Sequence, residues 1–167
     1  RVLFRSDMVR SAKDRPSTLM YMIGNELFEK LPSNVQREAY ARWVQLMIEW
    51  THANDPDHPV MYADRGDMVG LSWLKKYAPN IDIYGVNNYE FTDTGSALTA
   101  INRYSNAWPG KPILIHEWGS DSLNYATGVE DLSRHATNTA QLGRALSQAY
   151  EQTADPYLGA VYFKLEE

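Results

Sequence analysis

Short apolar runs alternate with longer helical stretches along this chain, and that alternation limits the fold more than any other feature. Thr18 to Ile23 is a compact apolar run, read as a buried strand. Pro59 to Ala63, Ile81 to Val86, Pro112 to Ile115 and Tyr157 to Leu165 repeat the pattern. Helical periodicity fills the gaps, over 35–53, 68–77, 96–108 and 133–152, with a rougher stripe over 1–13. Pro32-Ser33-Asn34 precedes the first long helix. Ser33 or Asn34 suits its N-cap, because a short side-chain oxygen accepts a first-turn N–H. Strands separated by helices run parallel, since each crossover returns the chain to the same end. Near-continuous apolar strands imply burial on both faces. The predicted class is α/β: a doubly wound open sheet, or part of a (β/α)8 barrel.

Composition removes several functions. The 167 residues carry 16 basic and 21 acidic side chains, a net charge of -5. There is no Lys/Arg block, so neither nucleic acid nor an anionic membrane is the expected partner. No apolar run approaches the roughly 20 residues of a membrane helix. Cysteine is absent, which excludes disulfides, thiolate metal sites and a Cys nucleophile. The 11 Tyr and 5 Trp suit either sugar-binding platforms or an ordinary core.

Polar residues gather where the strands end: Asn25-Glu26, Asp64-Arg65, Asn87 to Glu90, His116 to Trp118 and Glu166-Glu167. Both candidate folds put their sites at that end. Glu26 and Glu117 each close an apolar run. Two carboxyl groups facing one another across a cleft suit glycosidic bond cleavage, where one protonates the leaving oxygen and the other attacks or stabilises the sugar cation. Strand alternation points His116 away from Glu117, as a structural histidine. His52 and His58 flank an Asp-Pro-Asp turn and read as loop residues rather than metal ligands. Trp43, Trp50, Trp73 and Trp108 read as helix–sheet packing, Trp118 as a stacking platform. Gly24 leaves the mouth uncrowded, or simply makes a turn.

The motifs themselves resemble a known group. Leu19-Met-Tyr-Met-Ile-Gly-Asn25-Glu26 is similar to strand four of the (β/α)8 retaining glycosidases, the clan that includes glycoside hydrolase family 2. Lys13-Asp-Arg-Pro-Ser-Thr-Leu resembles the family 2 lead-in, with Arg15 where His is usual. Ile81 to Tyr89 resembles strand six, and Lys111-Pro-Ile-Leu-Ile-His-Glu117-Trp-Gly119 strand seven. Gly159 to Glu167 resembles strand eight, with Phe163 the aromatic nearest its usual Trp. The resemblance implies a retaining β-glycosidase acting on oligo- or polysaccharide, with no cofactor and no metal. It makes Glu117 the nucleophile and Glu26 the acid/base, with Tyr89 hydrogen-bonded to Glu117. Asn25 would contact the sugar beside its reacting carbon, and Trp118 would stack on it. Asn88, Glu90 and Asp64 complete the expected substrate-binding set. For a retaining course the carboxyl groups lie about 5–5.5 Å apart. Asn88-Tyr89-Glu90 also resembles the strand six of β-1,3-glucan transferases, so transglycosylation is an alternative.

A complete barrel takes about 250 residues and eight strands. The resemblance assigns 1–167 to one incomplete barrel domain, roughly strands four to eight with their helices. Open edges invite self-association, and a catalytically silent carbohydrate-binding half-barrel is the third reading. The sequence leaves the compartment open, and the resemblance favours a secreted or periplasmic one.

Overall fold

The structure, a computed structural model, describes residues 2–153 and 157–163. The chain divides into two compact units, Arg1–Gly85 and Val86–Glu167. Five strands form a sheet in the order β1-β2-β3-β4-β7, so the strand–helix alternation of the sequence is realised.

The first unit runs α1 (Val2–Ala12), β1 (Tyr21–Asn25), a 3-10 turn (Phe28–Lys30), α2 (Asn34–Asn54), β2 (Val60–Arg65) and α3 (Leu71–Tyr77) into β3 (Ile83–Asn87). Ser33 caps α2, its side chain accepting from the Gln36 N–H. The buried residues of α2, Ala41, Val44, Ile48 and Thr51, recur at helical spacing and make one face. β2 is buried from Val60 to Asp64, the two-sided burial expected of an inner parallel strand. A ring cluster holds this layer together: Phe28 meets Tyr40 and Tyr62 edge-on, at 5.1 and 5.4 Å between centroids. β1 and β2 pair in parallel, Tyr21 with Val60 and Met22 with Met61, and then the register slips before Asn25 pairs with Ala63. Three steps on β1 thus match two on β2, a bulge that bends the strand where it reaches its polar end.

The second unit contains α4 (Thr94–Ala107), β4 (Ile113–Trp118), a small hairpin of β5 (Leu123–Asn124) and β6 (Val129–Glu130), α5 (Leu132–Gln152) and β7 (Tyr157–Tyr162). Asp93 and Ser96 make a reciprocal capping box at the start of α4, satisfying two otherwise orphaned donors. Ile113, Leu114 and Ile115 of β4 are buried together with Leu142, Ala145, Leu146 and Ala149 of α5. β4 and β7 are parallel, and again three residues of one strand match two of the other, between Ile115 and Trp118. The hairpin was not expected from the sequence, because strands of two residues carry no periodic signal.

Candidate active site

Each unit presents polar residues at the ends of its strands. In the first, Asn25 is exposed as the last residue of β1 and Glu26 follows half-buried. Glu26 has φ 49°, a left-handed conformation that side chains other than Gly adopt at a cost. The backbone on either side is fastened: Glu26 N–H donates to Ala63 O at 3.0 Å, and Leu27 N–H to Tyr62 Oη at 3.1 Å. The bulge and the left-handed turn together set the direction in which this carboxyl group leaves the strand. Arg65, one strand over, donates to Glu29 at 2.7 Å and lies within electrostatic reach of Glu26.

Asp64 departs from its expected place among the substrate-binding residues. It is 1% exposed, and its Oδ2 accepts from Gly70 N–H and Tyr84 Oη–H, both at 2.9 Å. Burial pushes its carboxyl group up to about 6, against hydrogen bonds from Tyr84, Arg65 and Gly70 that pull it down. Asp64 fastens the loop leading into α3. Gly24 likewise serves packing: a Cβ there would collide with the Tyr40 hydroxyl and stand 2.7 Å from the Tyr62 ring.

The second unit brings together two of the residues singled out. Tyr89 Oη donates to Glu117 Oε2 at 2.8 Å. The backbone beneath them is tied as well, Asn88 N–H donating to Glu117 O at 2.9 Å. The Glu117 side chain is 13% exposed, while Tyr89 is 47% exposed. The Glu117 carboxyl group is thus largely shielded, and the Tyr89 hydroxyl fixes the direction of its Oε2.

His116 has a partner inside the protein, as a structural histidine would, but it does not point away from Glu117. The bulge in β4 breaks strict alternation, and His116 Nδ1 lies 3.7 Å from Glu117 Oε1. The same Nδ1 lies 3.0 Å from Asn87 Oδ1, and as a neutral ring protonated there it donates to that oxygen. Burial lowers its basicity, against the pull of the Glu117 charge. Asn87, 2% exposed, stands in the polar group named at the end of its strand, but its role as partner of His116 had no signal beyond that position.

Two further expectations change. Asn88 is buried, its amide donating to Tyr104 Oη while its Oδ1 accepts from Glu90 N–H. Both ends are used within the protein, so Asn88 shapes the turn below Tyr89 rather than meeting substrate. Trp118 is 8% exposed and its ring packs against Tyr162, 5.1 Å between centroids, and against α5 at Gly143. A Cβ at Gly143 would sit 3.2 Å from the ring. Trp118 therefore belongs to the core, and the four other tryptophans are the half-buried ones, Trp43 stacked on Tyr40 and Trp73 on Tyr77. Glu90 is exposed beside Tyr89. Glu166 and Glu167 lie outside the described residues.

A cleft of about 470 Å³ opens beside Tyr89, with Arg134, Asn138 and Gln141 of α5 on one wall. Polar residues recurring on one helix face ordinarily mark a solvated surface, so the sequence carried no signal for it.

Comparison with known proteins extends these observations. The sequence matches the family described as glycosyl hydrolases family 2, TIM barrel domain, over residues 4–157. A beta-glucuronidase of Sus scrofa is 28% identical over 127 residues, covering 70% of this chain and 18% of the relative. A Bacteroides uniformis beta-glucuronidase superposes with a TM-score of 0.68 at 16% identity, over 95% of this chain and 20% of that one. A glycoside hydrolase family 17 beta-1,3-glucanosyltransferase from Rhizomucor miehei superposes with a TM-score of 0.65 at 14% identity, over 96% of this chain and 58% of that one. The chain thus spans about a fifth of the length of the glucuronidases it matches, and its fold is part of a TIM barrel. With the family match running over nearly all of the sequence, the chain belongs to the glycosyl hydrolases family 2, in its TIM barrel domain.

Proposed function

We propose that this barrel portion carries the two catalytic glutamic acids of a retaining β-glycosidase, Glu117 as nucleophile and Glu26 as acid/base. A Glu117 oxygen attacks the anomeric carbon while the bond to the leaving oxygen breaks and Glu26 gives that oxygen its proton. Glu26 then takes a proton from water, the water oxygen attacks the same carbon, and Glu117 is released as carboxylate. Tyr89 holds Oε2 of the nucleophile and so fixes the plane of the carboxylate. Asn25 and the exposed Glu90 would meet sugar hydroxyls. The substrate is a β-linked oligo- or polysaccharide, or a β-glycoside conjugate.

The observation that carries this reading is the Tyr89–Glu117 hydrogen bond of 2.8 Å at the C-terminal end of β4, in a family of glycosyl hydrolases. Support also comes from a relative: Bacteroides uniformis beta-glucuronidase 2 is covalently bound to cyclophellitol-6-carboxylate aziridine in its solved structure, as an enzyme with a nucleophile would be.

In the full-length enzyme, Glu117→Ala should abolish turnover of aryl β-glycosides, and azide should restore it with inverted product. Glu26→Ala should slow substrates with poor leaving groups far more than those with good ones. Undiminished activity of the first variant, or equal slowing of both substrate types in the second, removes these assignments. Transglycosylation uses the same first step with a sugar hydroxyl in place of water. Product analysis with oligosaccharide acceptors separates the two.

A further inference from the structure

The cleft beside Tyr89 belongs to none of the roles described above. At about 470 Å³ it falls within the roughly 300–1,000 Å³ that small-molecule sites occupy. Tyr89 is shared: its ring lines the cleft while its hydroxyl holds Glu117. Whatever fills the cleft therefore lies next to the residue that orients the proposed nucleophile.

The chemistry of the walls narrows the occupant. One carboxylate, Asp121, and one guanidinium, Arg134, are the charged groups of the lining. Both are engaged inside the protein. Asp121 Oδ2 accepts from Tyr125 Oη–H at 2.8 Å, and Arg134 Nη2 donates to Leu123 O at 2.8 Å. Balanced and tethered charges give no reason to bind an ion. What the walls offer instead is two amides, Asn138 and Gln141, one turn apart on the same face of α5. Tyr89, Phe91 and Tyr125 line the same cleft. Amides that both donate and accept, in a cleft that also carries aromatic residues, suit a ligand with many hydroxyl groups and apolar C–H faces. We infer that this cleft binds an uncharged saccharide unit of the substrate, next to the unit that reacts. The inference rests on the glycosidase reading and narrows it: the preferred substrate is an oligosaccharide rather than a small aryl glycoside.

The test is made in the full-length enzyme. A panel of 4-nitrophenyl β-gluco-, galacto-, manno- and glucuronosides identifies the sugar turned over fastest. The enzyme is then given β-1,3- and β-1,4-linked disaccharides with that sugar at the non-reducing end. The ratio of kcat/KM for the better disaccharide to kcat/KM for the aryl glycoside is measured before and after Asn138→Ala/Gln141→Ala. The ratio should fall about tenfold, as loss of two hydrogen-bonding amides implies. Tyr125→Ala, at an exposed rim position, should lower it too. Gln141 and Tyr125 are exposed and Asn138 is half-buried, and Ala at 138 and 141 preserves α5, since Ala favours helix. An unchanged ratio in an active enzyme overturns the cleft assignment and leaves the glycosidase reading standing. No turnover of any glycoside or disaccharide by the unaltered enzyme sinks both.

Discussion

Tyr89 reaches Glu117 through a single hydrogen bond, and a bond to a charged group contributes about 1.5–3 kcal/mol. Tyr89→Phe should therefore lower kcat on an aryl β-glycoside about 10- to 100-fold. Its half-exposed ring means that thermal stability should hardly change, so kcat and a melting curve measured together check the role. An unchanged kcat would contradict it. Asp64 gives a prediction of another kind. Burial raises its carboxyl group from 3.8 to about 6, so the folded state holds that proton more tightly than the unfolded chain does. This contribution to stability is fully present below about pH 4 and is lost as pH rises through 6. A rise of this size corresponds to about 3 kcal/mol. Asp64→Asn removes the titration, so the stability difference between parent and variant should move against the parent between pH 4 and 7. Chemical denaturation across that range reads it, and a difference independent of pH would contradict the account. These residues also mark where sequence reading stops. Glu26, Glu117 and Tyr89 stood in contiguous motifs. Asp64, Asn88 and Trp118 lie at strand ends too, yet position along a strand does not say which face a side chain takes once a bulge or turn intervenes.

The elements were more legible than their joints. Helices announced themselves through apolar spacing and through caps such as Ser33, whose oxygen receives the Gln36 N–H. Strand cores were evident because 60–63 of β2 and 113–115 of β4 are continuous apolar runs. The bulges in β1 and β4 were not, since one extra residue leaves composition and periodicity almost untouched. They nevertheless decide how Glu26 and Glu117 leave their strands. Close contact between β1 and α2 depends on Gly24, where any Cβ meets the Tyr40 hydroxyl and the Tyr62 ring. Gly24→Ala should cost about 1–3 kcal/mol, the usual effect of overfilling a packed site. A thermal melt several degrees lower would bear this out, and an unchanged one would contradict it. Because Glu26 is two residues away, activity should fall with stability.

At the scale of the whole molecule, the order of strands and helices and the family were readable from the sequence. They rest on long periodic segments and on motifs in sequence order, and the family match covers residues 4–157. The cleft lined by α5 was not readable, because it forms only when α5, the β5–β6 hairpin and the loop after β3 come together. In a retaining course a glycosyl–enzyme forms on Glu117. It is tested most directly by treating the full-length enzyme with a 2-deoxy-2-fluoro-β-glycosyl fluoride of the sugar it turns over, then mapping the labelled peptide by mass spectrometry. One added sugar on Glu117 is the expected result. A label on Glu26 or any other residue, or a hydrolysis product of inverted configuration, would contradict it.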